Sequence, residues 1–211
     1  GNLSIIWTLP NIMGGIFKTV AQLGTGLFGG DGGARASMID SFGGWGSQNI
    51  ALGNTAASDA REKSSTFRAI GDLNVNPSSL LAVNAVLLFQ NTNFGEYKDT
   101  TPGPTLADTV PDKSELQAGA RALVNLAAPF ALAMELGVTK VGKSYLDADG
   151  KYKDSQLSKL TIAPQIAADA GYWTRPQLRV FGTYASWDKD SEGKIGAGNN
   201  GYSVGAQFES W

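Results

Sequence analysis

The chain has 211 residues, a formal charge of −2 at pH 7, 27 glycines, and neither cysteine nor histidine. Without cysteine it has no disulfide or thiolate chemistry, and without histidine it lacks the commonest general base and metal ligand. Its charged residues are scattered, so it has neither the basic stripe typical of nucleic-acid binding nor an acidic tail. We therefore expect no enzyme activity, no cofactor, no metal and no nucleic-acid partner.

Apolar and polar residues alternate with a period of two in nine segments of the chain. Successive side chains of a β-strand point to opposite faces, so this pattern predicts strands with one apolar and one polar face. In chain order, the predicted strands are residues 2–9, 16–24, 66–74, 80–94, 115–125, 130–140, 157–167, 177–187 and 202–211. The abundant glycine and the lack of long apolar runs argue against helices.

The alternation is clear in the fifth predicted strand. Its even positions are Leu116, Ala118, Ala120, Ala122 and Val124, and its odd positions include Gln117, Arg121 and Asn125. A soluble β-sandwich shows the same alternation with its apolar face turned inward. The period alone therefore does not distinguish a sandwich from a membrane barrel.

The connections between predicted strands alternate in length. Short ones at residues 10–15, 75–79, 126–129 and 168–173 alternate with long polar ones at residues 25–65, 95–114, 141–156 and 188–201. Outer-membrane barrels have short periplasmic turns and longer outer loops, whereas a sandwich gives no reason for such alternation. We therefore predict a transmembrane antiparallel up-and-down β-barrel. Since bacterial single-chain barrels have even strand numbers, nine strands are expected to be part of a larger barrel.

The most distinctive residues lie towards the end of the chain. A tryptophan, a threonine and Arg-Pro at residues 173–176 precede Arg-Val-Phe-Gly-Thr-Tyr-Ala-Ser-Trp, and the chain ends in GYSVGAQFESW. These segments resemble the penultimate hairpin and the closing strand of the maltoporin family, whose members usually finish in Trp-Trp. Residues 118–141, with Pro129 in the turn, are similar to another hairpin of that family, and residues 14–25 more weakly resemble an earlier strand.

The resemblance implies an architecture and a function. Residues 1–211 would form one porin domain, the C-terminal nine strands of an eighteen-stranded barrel. The protein would be a passive channel for maltose and maltodextrins in the outer membrane of a Gram-negative bacterium. Its expected partners are oligosaccharides, outer-membrane lipid and two further copies of itself in a homotrimer.

The resemblance also implies sugar-binding residues, because maltoporins guide sugars along aromatic side chains that stack on pyranose rings. The family's tryptophans of this slide match Trp173 and Trp211. A slide phenylalanine aligns with Ile16, so Phe17 is the candidate if the register shifts by one residue. The charged residues on the predicted polar face are candidates for contacts with sugar hydroxyls: Arg68, Asp72, Arg121, Glu135, Arg175, Arg179 and Glu209.

Each of these assignments has an alternative. The tyrosines and tryptophans at predicted strand ends fit aromatic girdles that anchor a barrel at the membrane interface, although buried core aromatics fit as well. They are Trp7, Tyr97, Tyr172, Trp173, Tyr184, Trp187, Tyr202 and Trp211. The charged residues could instead pair with one another inside a wet wall. At the level of function, a plugged outer-membrane barrel whose loops bind a partner and a soluble β-sandwich binding module remain open.

Overall fold

A computed structural model of the chain describes residues 2–25, 65–93, 112–146, 151–168, 174–188 and 198–210. These residues form nine strands: β1 (Asn2–Ile12), β2 (Gly15–Thr25), β3 (Ser65–Ser78), β4 (Leu81–Asn93), β5 (Lys113–Ala127), β6 (Phe130–Leu146), β7 (Tyr152–Ala167), β8 (Gln177–Trp187) and β9 (Asn200–Glu209). Each predicted strand corresponds to one of them. Among the described residues, no helix has the length and hydropathy needed to span a membrane.

All nine strands belong to one sheet, in the order in which they follow along the chain. Every neighbouring pair is antiparallel, from β1 with β2 to β8 with β9. The predicted all-β, antiparallel, up-and-down architecture is therefore confirmed. A sandwich would need two sheets packed face to face, whereas the described strands make a single open sheet with β1 and β9 at its edges.

Three of the predicted short connections are tight turns, the fourth lies mostly outside the described residues, and one predicted loop is mostly strand. Residues 13–14, 79–80 and 128–129 join β1 to β2, β3 to β4 and β5 to β6. The prediction of a long loop at residues 141–156 is wrong, because β6 continues to Leu146 and β7 begins at Tyr152. A bulge after Val141, where Lys143 has a φ of 52°, absorbs the extra residues, and pairing resumes between Tyr145 and Lys153. Residues 26–64, 94–111 and 189–197, from the other long connections, lie outside the described residues.

One face of the sheet is apolar and stays exposed. Directly paired residues share a face, and the ladder joins the apolar positions of one strand to those of the next, as in Ala85 with Ala120 and Ala120 with Leu136. Exposed fractions on this face reach 63% for Ile5, 61% for Leu136 and 80% for Val204. A soluble protein rarely leaves such a wide apolar face in water, so this face is suited to lipid.

The opposite face, called the polar face here, holds most of the buried residues. A hydrophobic cluster of four alanines and one leucine is buried on this face, and Phe181 packs against it. The cluster consists of Ala82, Leu123, Ala131, Ala133 and Ala163. Long polar side chains, among them Arg68, Gln90 and Gln165, are also buried on this face. Small residues leave space in which long neighbours can lie along the sheet, and this arrangement positions the charged groups described next.

Candidate functional site

Ion pairs link β5, β6, β8 and β9 on the polar face into one network. Arg121 pairs with Glu135, and Arg175 pairs with Glu209. Arg179 joins the two pairs, with Nη1 at 3.8 Å from Glu135 Oε1 and Nη2 at 3.2 Å from Glu209 Oε1. The structure thus brings together five of the charged candidates that the sequence predicts for the site: Arg121, Glu135, Arg175, Arg179 and Glu209.

Strand register brings the partners together at the β8–β9 end of the network. Gln177 is directly opposite Glu209 and donates a hydrogen bond from Nε2 to Glu209 Oε2 at 3.0 Å. Arg179 is opposite Gln207 and donates from Nε to Gln207 Oε1 at 3.0 Å. Cross-strand neighbours on one face have side chains close enough for such contacts. Glu209 therefore accepts a hydrogen bond from the side-chain amide of Gln177 and also pairs with Arg175 and Arg179.

The ion pair between Arg179 and Glu135 crosses an intervening strand, β7. On β7, Thr161 is opposite Glu135 and Gln165 is opposite Arg179. Ala163 lies between these two on the polar face, with only 1% of its surface exposed. Because alanine is small, the guanidinium and the carboxylate can approach across the strand. A bulky residue at this position would fill the space between them.

The network is only slightly exposed and carries more arginines than carboxylates. The exposed fractions of its side chains are 9% for Arg175, 13% for Arg121 and Arg179, and 20% for Glu135 and Glu209. Partly buried charges need partners, and here each carboxylate has two arginines. Guanidinium groups donate hydrogen bonds and carboxylates accept them. The network therefore offers donors and acceptors to a ligand hydroxyl, which can itself donate and accept. Within the described part of the chain, no group of acidic side chains is placed to hold a metal ion.

Arg68 lies on the same face but belongs to a different group. It is 5% exposed, opposite Gln90, and donates from Nε to Gln90 Oε1 at 2.8 Å. Gln90 in turn donates to the hydroxyl of Thr92 at 3.2 Å, which also receives a bond from Thr66 at 3.3 Å. This buried group connects β3 and β4 towards the end of the sheet that carries the long connections. Arg68 is therefore on the predicted face and is not in the network.

A row of polar residues crosses the sheet from β3 to β9. Its members are paired one with the next: Asn74, Asn84, Arg121, Glu135, Thr161, Thr183 and Ser203. Asn84 donates to Asn74 Oδ1 at 2.9 Å and to Asp72 Oδ1 at 3.0 Å, and the hydroxyls of Thr161 and Thr183 are 2.8 Å apart. The row depends on register across seven strands, and sequence reasoning missed most of its members for that reason.

The register on β2 turns Phe17 away from the polar face. Phe17 pairs with Leu9 and Leu73, both apolar-face residues, whereas Ile16 pairs with Asn74. The pairing of β2 with β3 continues without a bulge from Ile16 to Thr25, so the one-residue shift that would bring Phe17 to the polar face does not occur. This corrects the placement expected for Phe17.

Two aromatic residues of β8 lie on the polar face without having been assigned to the site. Phe181 lies over Gly205, where an added Cβ would be 2.6 Å from the ring. Trp187 lies beside Gly201 and donates from Nε1 to the carbonyl of Gly198 at 2.6 Å. Alternate residues of a strand share a face, so the odd numbers of Phe181 and Trp187, like that of Arg179, could have placed them on the polar face from the sequence. Trp187 is therefore not on the apolar face, where an aromatic girdle would lie, so the girdle interpretation is wrong for this residue.

The other aromatic candidates divide between described and undescribed positions. Three that were predicted for the girdles, Trp7, Tyr184 and Tyr202, are exposed on the apolar face. Trp173, Trp211, Tyr97 and Tyr172 lie outside the described residues. The network nevertheless reaches the neighbourhood of two of them in the sequence, since Arg175 and Glu209 are each two residues from Trp173 and Trp211, respectively.

A single antiparallel sheet with one exposed apolar face and one charged face has the architecture of a porin wall. A family model described as LamB porin matches residues 2–211. The chain therefore belongs to the LamB porin family, which is a family of channels and not of enzymes.

Two curated relatives carry the name maltoporin. The chain is 24% identical over 205 residues to the maltoporin of Photobacterium profundum, a match that covers 97% of this chain and 40% of the relative. It is 39% identical over 69 residues to the maltoporin of Hahella chejuensis, which covers 32% of this chain and 17% of the relative. The chain thus spans less than half the length of these relatives.

Proposed function

We propose that the chain forms part of the wall of an outer-membrane porin through which maltose and maltodextrins diffuse passively. The observation that carries this proposal is the Arg–Glu network on the polar face, set opposite an apolar face that stays exposed. One side of the sheet is then suited to a water-filled pore and the other to lipid. Membership of the LamB porin family and the similarity to two maltoporins support the choice of sugar.

In this proposal the charged residues bind sugar hydroxyls. Arg121, Arg175 and Arg179 donate hydrogen bonds, and Glu209 accepts them, since a guanidinium has donors only and a carboxylate has acceptors only. Arg68 would act in the same way further along the pore. Each contact is weak because the network already engages these groups, and weak repeated contacts suit a channel whose ligand must leave again.

Trp173 and Trp211 would supply stacking surfaces for the apolar faces of the pyranose rings. Support comes from the family resemblance at both positions and from the ion pair of Arg175 with Glu209. Arg175 is two residues from Trp173, and Glu209 is two residues from Trp211. Stacking and hydroxyl contacts together would select a sugar over a small ion. Phe17 is left out of the proposed site because it lies on the apolar face.

The proposed protein is larger than this chain. The matched maltoporin from Photobacterium profundum is more than twice as long as the matched part, so we propose that these nine strands are completed by further strands of a single barrel. The family resemblance supports a C-terminal position in an eighteen-stranded barrel, a location in the outer membrane of a Gram-negative bacterium and assembly as a homotrimer.

Conductance of the full-length protein in planar lipid bilayers tests the proposal. We expect open channels whose ion current is blocked by maltotriose and longer maltodextrins in a concentration-dependent way. A protein that inserts and conducts no ions would favour the plugged barrel with partner-binding loops. Channels that conduct ions and are not blocked by any maltodextrin would contradict the sugar assignment.

A further inference from the structure

A small cavity opens on the polar face where two glycines are directly opposed. Gly119 of β5 and Gly137 of β6 are paired and line a cavity of about 50 Å³. The polar side chains that line it come from three neighbouring strands: Gln117, Glu135, Thr139, Lys159 and Thr161. The cavity thus adjoins the Arg–Glu network through Glu135, but it is a separate feature of the wall.

Neither backbone conformation nor packing requires glycine at position 137. Its φ is not positive, in contrast to Gly14 and Gly198. An added Cβ would have only the carbonyl oxygen of Ala118 within 4 Å, at 3.9 Å, which is an ordinary contact distance. Glycine inside a strand weakens the strand, because it loses more conformational entropy and has no side chain to pack. What Gly137 contributes at this position is therefore open space.

The size and mixed lining of this space suit a group larger than water that has both an apolar and a polar part. A cavity needs a volume of roughly 10–15 Å³ to hold a single water, and this cavity has about 50 Å³. Its side chains offer donors from Lys159 and Gln117, an acceptor from Glu135, and hydroxyls from Thr139 and Thr161, which do both. A hydroxymethyl group has one carbon and one hydroxyl, and the lining provides partners for that hydroxyl.

We infer that this cavity binds the hydroxymethyl group of a hexose ring as the sugar passes along the wall. The inference rests on the proposed sugar-porin function and adds a specificity-determining position to it. The cavity distinguishes hexose-based oligosaccharides, which carry the hydroxymethyl group, from pentose-based ones such as xylo-oligosaccharides, which lack it. Gly137 is the determining residue because any side chain there would occupy the space.

The test compares Gly137→Val with Gly182→Val in the full-length protein. Gly182 lies in β8 on the apolar face, paired with Ile162 and Val204, and an added Cβ would meet nothing within 4 Å. Both sites have room for an added Cβ, and valine is favoured in strands, so both variants should assemble. Only Gly137→Val fills the cavity. Gly137→Ala serves as a smaller change at the same site.

We expect Gly137→Val to weaken maltotriose block about three- to tenfold, the equivalent of one or two lost hydrogen bonds, while Gly182→Val leaves it unchanged. Gly137→Ala should lie between. Block by xylotriose should change less than about twofold in every variant, because its rings carry no hydroxymethyl group for the cavity to bind.

The outcomes separate the cavity from the channel function. Wild-type channels that maltotriose does not block would overturn the proposed function, and this inference with it. Wild-type channels that are blocked, with Gly137→Val blocked equally well, would overturn the cavity alone. An equal loss for maltotriose and xylotriose in Gly137→Val would overturn the hydroxymethyl assignment.

Discussion

Adding an arginine at the centre of the apolar face should destabilise the protein in a bilayer. Ala120 is the middle residue of β5, which runs from Lys113 to Ala127, and it is exposed between Ala85 and Leu136. An arginine on the lipid side at the bilayer midplane costs about 2–4 kcal/mol. Ala120→Arg should therefore lower the free energy of unfolding by about this amount, or about thirty- to a thousandfold in the folding equilibrium.

The comparison needs a variant that adds the same side chain on the other face. Gln117→Arg places an arginine on the polar face of the same strand, where water and the carboxylate of Glu115, to which Gln117 donates a hydrogen bond, are available. Its cost should stay below about 1 kcal/mol, as for most surface substitutions. Arg121→Ala should also cost less than Ala120→Arg, because Glu135 keeps its pair with Arg179.

The assay is guanidinium-induced unfolding of the full-length protein in lipid vesicles, followed by tryptophan fluorescence. Equal losses for Ala120→Arg and Gln117→Arg, or a larger loss for Gln117→Arg, would mean that the two faces are inverted. The sheet would then be a soluble structure whose apolar face is covered by protein.

Two further predictions concern the site. Trp173→Ala should weaken maltodextrin block severalfold, since an aromatic contact is worth about 0.5–1.5 kcal/mol, with small-ion conductance nearly unchanged. Unchanged block per open channel together with a lower assembly yield would instead indicate a membrane anchor. Ala163→Leu should cost about 1–3 kcal/mol of unfolding free energy, because the larger side chain overpacks the space between Glu135 and Arg179. Ile162→Leu, at its exposed neighbour, is the control in the same denaturant titration, and equal stability of the two variants would show that the ion pair does not depend on a small residue at position 163.

Local patterns were sufficient to predict the strands and their faces. The period of two depends only on neighbouring residues, so the opposite placement of Ala120 and Arg121 could be read from β5 alone. The same parity places Trp187 on the polar face, and it was missed because its position at a strand end suggested a girdle. The extension of β6 to Leu146 could not be read in this way, because the bulge after Val141 interrupts the alternation.

The family resemblance predicted site residues that the described structure does not reach. Trp173 and Trp211 lie outside the described residues, so their role remains a prediction. For Phe17 the resemblance left two registers open, and only the pairing of β2 with β3 decided between them. Arg68 was predicted for the correct face, but its burial against Gln90 depends on contacts that no single strand contains.

The sequence by itself determined that the chain forms strands with an apolar and a polar side, because alternation is a local property of each segment. Only the tertiary structure decided which polar residues meet. Arg179 and Glu135 are 44 positions apart and belong to strands that are not neighbours, yet register and the small side chain of Ala163 place them within 3.8 Å. The cavity has the same origin, since Gly119 and Gly137 make space together only because the register of β5 and β6 sets them opposite each other.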